Sequence, residues 1–119
     1  MANIMLVDDA AFMRMNLKSI LEKEEHKIIA EAENGKEAVE QFRNKEPELT
    51  ILDITMPEMD GLEALKKIKK IDDDARIIMC SAMGQQNMVI EAIESGAKDF
   101  VVKPFKPKRV LVAINKAIN

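Results

Sequence analysis

Five short apolar runs recur along the chain: Ile4-Met5-Leu6-Val7, Ile28-Ile29-Ala30, Leu49-Thr50-Ile51-Leu52, Ile77-Ile78-Met79-Cys80 and Phe100-Val101-Val102. None alternates strictly between apolar and polar positions, the pattern of strands covered on both faces. Their starts are spaced roughly 21 to 28 residues apart, room for a strand, a helix and two loops in each repeat. The segments between them change period. Met13, Leu17, Ile20 and Leu21 share one helical face, with Arg14, Lys18 and Glu22 elsewhere. Ala38, Val39 and Phe42 form a second stripe, with Pro47 beyond it as a stop. Leu62, Leu65, Ile68 and Ile71 form a third. Met88, Val89, Ala92 and Ile93 form a fourth, closed by Gly96. Val110, Leu111, Ile114 and Ile118 form a fifth, with Pro107 in its first turn. The pattern predicts one domain over residues 1–119: a five-stranded parallel sheet, doubly wound, in (βα)5 order.

In such a sheet, ligands sit beyond the carboxyl ends of the strands where strand order reverses. The polar residues collect at those ends. Asp8-Asp9 closes the first run, Asp53 the third, Ser81 the fourth and Lys103-Pro104 the fifth. Adjacent carboxylates are costly without a cation, and a donor set made only of oxygen suits Mg2+ better than zinc or copper. A strand-end carboxylate is also a type of nucleophile that accepts a phosphoryl group. Each residue has a bland alternative. Asp8-Asp9 could cap the first helix, Asp53 could form a turn, Ser81 could cap or turn, and Lys103 could be one solvated member of a basic stretch. The bland readings weaken together, because Pro57 and Gly61 already supply the turn chemistry after Asp53. An X-Pro bond such as Lys103-Pro104 is also able to be cis, which would aim the lysine at the site.

Bulk composition removes whole classes. A net charge of −3 gives no nucleic-acid footprint. No apolar stretch has the length of a bilayer span. Met1-Ala2-Asn3 lacks a charged segment followed by an apolar one, which predicts no export, and the single Cys80 fits a reduced cytoplasmic thiol. Asp72-Asp73-Asp74 reads as a solvated turn rather than a calcium loop, Asn34-Gly35 as a turn before the second helix, and His26 as a surface residue without a ligand partner.

Val7-Asp8-Asp9, Asp53 through Met56-Pro57-Glu58-Met59-Asp60-Gly61, Ser81-Ala82, Gly96-Ala97-Lys98-Asp99-Phe100 and Lys103-Pro104-Phe105, in that order, resemble the receiver domain of two-component response regulators. The resemblance covers essentially the whole chain and implies the flavodoxin-like receiver fold. Asp9-Ala10-Ala11-Phe12-Met13-Arg14 and Cys80-Ser81-Ala82-Met83-Gly84-Gln85 look most like stand-alone chemotaxis regulators. The likeness implies Asp53 as phosphoacceptor, and Asp8, Asp9, Asp53 and the Thr55 main-chain carbonyl around Mg2+, with Asp8 acting mainly through water. It implies Ser81 and Lys103 as phosphoryl ligands, and Ser81 with Phe100 as the switch. The output face would be the fourth helix, fifth strand and fifth helix, including Met88, Lys98, Lys108 and Arg109.

The implied partners are the histidine kinase CheA, a reader that is either the flagellar switch protein FliM or an archaeal adaptor, and a phosphatase of the CheC, CheX or CheZ type. The implied form is a cytoplasmic monomer that binds neither nucleic acid nor membrane. It would phosphorylate and dephosphorylate itself without being a turnover enzyme. Two positions depart from many relatives, which carry threonine and tyrosine where this chain has Ser81 and Phe100. Serine keeps the hydroxyl, whereas phenylalanine leaves switching to packing. A stand-alone phosphorelay receiver outside chemotaxis is the nearest alternative. A haloacid dehalogenase-type phosphatase is disfavoured by Thr55, which stands where those enzymes carry a second acid. A flavin module is disfavoured because Asp8-Asp9 would repel its phosphate.

Overall fold

The computed structural model describes residues 1–119. Strands and helices alternate: β1 (Asn3–Val7), α1 (Ala11–Glu22), β2 (Lys27–Ala32), α2 (Gly35–Lys45), β3 (Leu49–Asp53), α3 (Gly61–Ile71), β4 (Ile77–Ser81), α4 (Gln86–Glu94), β5 (Asp99–Val102) and α5 (Pro107–Ile118). All pairings are parallel, in the order β2-β1-β3-β4-β5. The chain therefore steps from β1 to one side, returns across it to β3, and continues outward. The reversal falls between β1 and β3, where a doubly wound sheet opens a crevice at its carboxyl edge.

The uninterrupted apolar runs feed two cores at once. Along β1, Met5 and Val7 face the core shared with α2, α3 and α4, while Ile4 and Leu6 face the core shared with α1 and α5. In β4, Ile77 and Met79 take the first side and Ile78 and Cys80 the second. Both faces are buried, so neither carries the charged residues that an exposed face would show, and Thr50 in β3 is a polar exception buried among them. The polar positions are displaced to the strand ends, where the site forms.

Local signals set the helix ends. Asn34 caps α2 by accepting from the Glu37 amide at 2.8 Å, and Asp60 caps α3 from the Glu63 amide at 2.9 Å. Asn34-Gly35 thus leads directly into α2, as expected of a turn before that helix. Pro47 follows α2 as a stop directly beyond its cap, Glu46, where the chain turns left-handed (φ 48°). Gly96 follows the last turn of α4 at φ 112° and Pro107 opens α5, as the pattern predicts. Asp72 accepts from the Asp74 amide at 2.9 Å in an exposed turn.

His26 corrects the sequence reading. It is buried, and its Nδ1 accepts from the Ala2 amide at 3.1 Å, tying the turn after α1 to the start of β1. Burial and the nearby amino terminus hold its pKa below the ordinary value. Such a histidine folds neutral, whereas the unfolded chain takes up the proton more readily. Its contribution is therefore complete above about pH 6.5 and is lost as the pH falls below that. Urea unfolding at pH 7.5 and 5.5 should show this loss in the native chain and a smaller one in His26→Gln.

Candidate functional site

Asp53 is the last residue of β3, paired in register with Cys80 of β4 and buried to 5% exposure. The ladder continues one step further, with the Ile54 amide donating to the Cys80 carbonyl at 3.0 Å, so β4 holds the backbone on either side of the acid's α-carbon. Asp8 follows β1 with its amide still donating to Ala32 in β2 at 3.1 Å, and its Oδ1 accepts from the Ala10 amide at 2.9 Å. Its role is to shape the turn into α1 from within. The cap residue of that helix is Ala10, which makes no side-chain cap. Asp9 is exposed beside it. One ligand atom from each of Asp8, Asp9 and Asp53 lies within 4.8 Å of the others.

Lys103 enters from β5. Its amide donates to the Ser81 carbonyl at 2.8 Å, and its Nζ lies 2.9 Å from Asp8 Oδ2 and 3.2 Å from Asp53 Oδ2. The contact with Asp8 is an ion pair without hydrogen-bond geometry, leaving that buried oxygen with charge contact alone. The Lys103-Pro104 peptide bond is cis. Ser81 is buried at the end of β4, one residue beyond the Asp53 partner Cys80. The five strand-end residues Asp8, Asp9, Asp53, Ser81 and Lys103 thus share one edge of the sheet, at its switch point.

Charge at this edge is unbalanced. Three carboxylates meet one ammonium. Burial, then the Asp8 carboxylate, push the Asp53 pKa up to about 6, and Lys103 offsets this only in part. Burial alone would lower the Lys103 pKa, but Asp8 and Asp53 outweigh it and raise the value. Two buried carboxylates short of positive charge, an exposed third, and donors that are all oxygen fit a hard divalent cation of the Mg2+ type. Cys80 adds nothing here, since its buried thiol is driven far above the ordinary range by desolvation.

Three contacts escaped the sequence reading. Gln85 spans the site's rim, donating from Nε2 to Thr55 Oγ1 at 2.7 Å and accepting the Ala82 amide on Oε1 at 2.7 Å. Arg14 donates to the Asp8 carbonyl at 2.6 Å while its Nε holds Glu31 at 2.9 Å, bracing the first acid from α1. Arg109 grips Asp99 through both terminal nitrogens, at 2.9 and 3.3 Å, and the Phe100 carbonyl at 2.7 Å. Its guanidinium also lies 5.9 Å from the Phe100 ring centroid. Phe100 is half-buried and lines a cavity of about 450 Å3 with Ser81, Met83, Val89 and Ile90.

Residues 4–115 match the family described as the response regulator receiver domain. The chain belongs to that family. The receiver is 65% identical to the chemotaxis protein CheY of Bacillus subtilis over 98% of its own length and 97% of the relative's. It is 59% identical to CheY of Thermotoga maritima, over 95% and 94% of the two chains. Among solved structures it is similar to CheY in the CheX–CheY–BeF3–Mg2+ complex from Borrelia burgdorferi, with a TM-score of 0.90 and 39% identity over 94% of the receiver and 85% of that chain. Among receivers it is CheY-like, and its fold is the flavodoxin-like (βα)5 receiver fold that the sequence led us to expect.

Proposed function

We propose that this receiver is a phosphorylation-activated regulator of chemotaxis, with Asp53 as its phosphoacceptor. The observation that carries the reading is the placement of a buried Asp53 carboxylate with its Oδ2 3.2 Å from Lys103 Nζ and its acid partners within 4.8 Å. Asp8, Asp9, Asp53 and the Thr55 carbonyl would hold Mg2+. When bound, the ion would offset the repulsion between incoming phosphoryl oxygens and the carboxylates.

The Asp53 carboxylate oxygen attacks phosphorus. An oxygen–phosphorus bond forms as the bond from phosphorus to the donor's imidazole nitrogen breaks, leaving the imidazole with the electron pair. Lys103 is already poised between Asp8 and Asp53, and its ammonium pairs with a phosphoryl oxygen as charge arrives. The Ser81 hydroxyl takes another. Water later attacks the same phosphorus, releases inorganic phosphate and restores the carboxylate. The chain thus receives and loses one group per cycle and acts as a switch rather than a turnover enzyme. Phosphorylation replaces the single charge of the carboxylate with a phosphoryl group carrying up to about two and adds strong acceptor oxygens, enough to redraw the contacts of the adjoining loops. Ser81 and Phe100 line one cavity, a route by which the event reaches the α4-β5-α5 face.

Similarity to CheY proteins supports CheA as the donor and FliM or an archaeal adaptor as the reader. The CheX–CheY complex from Borrelia supports Mg2+ and a CheX-type partner, with CheC and CheZ types as alternatives. No helix is long and apolar enough to cross a membrane. Incubation with acetyl phosphate and Mg2+ should raise the protein mass by one phosphoryl group. The gain should vanish with chelator and in Asp53→Asn. Mass gain that persists in Asp53→Asn would refute the assignment. Transfer from phosphorylated CheA, measured against an unrelated kinase, separates the chemotaxis reading from a general phosphorelay receiver.

A further inference from the structure

Four cations and a single carboxylate line one groove of the surface. The groove runs between α2 and α3, away from the acid cluster, and encloses about 710 Å3. Lys36, Glu40 and Arg43 line it from α2, and Lys67 and Lys70 from α3. Four positive charges face one negative charge, a local excess of three in a chain whose net charge is −3. Five of the chain's eighteen Lys and Arg side chains form ion pairs, among them Arg14 with Glu31, Lys66 with Glu91 at 2.7 Å, and Arg109 with Asp99. None of the four groove cations forms an ion pair, although Lys67 adjoins the paired Lys66.

The floor between these charges is apolar. Val39, Met59 and Ile71 supply it, and Ile71 keeps 40% of its surface exposed. On α2 the lining positions 36, 39, 40 and 43 follow helical spacing and put the cations Lys36 and Arg43 at opposite ends of a two-turn stripe, about 10 Å apart. An anion that satisfies all four must therefore carry its charge along its length, not at a point. A compact phosphate would use the converging amides of a helix start, which only Lys36 approaches. A nucleic-acid strand would seek aromatic stacking, and no aromatic residue lines the groove. An extended or helical peptide that alternates carboxylates with aliphatic side chains meets both the charged rims and the apolar floor.

We propose that the α2–α3 groove docks an acidic amphipathic segment of a partner protein. The surface is separate from the phosphoryl site, so the receiver would present two faces, one that changes with phosphorylation and one that recruits by charge. Attraction at exposed rims falls with added salt.

The test uses the full chain and a dye-labelled peptide of repeating Glu-Glu-Leu, followed by fluorescence anisotropy. A Lys-Lys-Leu peptide and a single-stranded DNA of similar charge serve as comparisons. Saturable binding of the acidic peptide alone is expected. It should weaken by about tenfold in the double variant Arg43→Glu, Lys67→Glu, by a smaller factor in Ile71→Ser, and with rising salt. All three positions are exposed, and phosphoryl uptake from acetyl phosphate should be unchanged, which separates failure here from failure of the phosphoacceptor assignment. Absence of saturable binding, undiminished binding by the charge-reversed variant or by Ile71→Ser, or equal binding of the DNA would overturn the proposal. Self-association of the native chain that disappears on charge reversal would also overturn it, by making a second copy the occupant.

Discussion

Gly61→Ala is expected to destabilise the fold by about 3 kcal/mol, the upper end of what overpacking a tight interior costs. A methyl group at this position would lie 2.0 Å from the Asp53 carbonyl oxygen, 2.8 Å from Ile54 Cα and 2.9 Å from the Asp53 carbonyl carbon. All three are backbone atoms of the strand end that carries the acid, so no side chain is able to swing aside. The Gly61 amide also donates to the Ile54 carbonyl at 2.6 Å, drawing the start of α3 against the end of β3. Relief requires moving one or the other, and moving β3 displaces Asp53 from Lys103. Urea unfolding should show the stability loss, and phosphoryl uptake from acetyl phosphate should fall with it. Gly84→Ala is the comparison. Nothing lies within 4 Å of the added methyl there, and only the positive φ of 88° resists it. Its cost should be about 1 kcal/mol. Equal stability of the two variants would show that the close approach at Gly61 is not tight.

The same strand ends explain why the candidate site could be read from the sequence. A strand buried on both faces leaves charged residues little place except its ends (Thr50 is the polar side chain buried within β3), so Asp8, Asp53, Ser81 and Lys103 each announce themselves by closing an apolar run. Strand order carries no such signal. Nothing in the spacing says that β3 returns to the far side of β1, yet that reversal is what sets Asp8 beside Asp53. Helical periodicity was legible in kind but overreached at the margins. Ile71 and Ile93 continue their stripes, but they are 40% and 42% exposed, in the last turns of α3 and α4. His26 was misread because its burial comes from the amino-terminal strand, which no local pattern connects to it. Gln85 was missed for a related reason: its partner Thr55 is thirty positions away, and a glutamine after a glycine has no distinctive period. Arg109 was legible as part of an output face, but its grip on Asp99 and Phe100 needs β5 and α5 packed together. That grip bears on the missing phenol, since a charged group beside the ring restrains an aromatic that has no hydroxyl of its own.

Asp53→Asn should make the metal-free protein more stable at neutral pH, although it removes the residue on which the proposed function depends. Burial and Asp8 raise the Asp53 pKa from 3.8 to about 6, so between those values the folded chain holds a proton that the unfolded chain has released. Stability linked to this group is therefore present below the unfolded pKa and is lost as the pH rises through about 6. Above that, the native state carries the full penalty of an ionised carboxylate it would prefer to protonate. A displacement of roughly two units corresponds to about 3 kcal/mol at pH 7, as an order of magnitude. Asparagine keeps the shape without the charge and should recover much of it. Denaturation with a chelator present should show the variant's advantage in full at pH 7.5, shrinking as the pH falls through 6 and gone near pH 4. Added Mg2+ should reverse the order, because a ligand that binds only the folded chain stabilises it by mass action, and the variant has lost one of the carboxylates proposed to hold the ion. A variant no more stable than the native chain in chelator would mean that Lys103 already balances the acids. The electrostatic case for a divalent cation would then fall with it. The pH profile and the metal response thus examine one claim from two directions: that this strand end is built at a cost to the fold, and that the cost is removed when positive charge arrives.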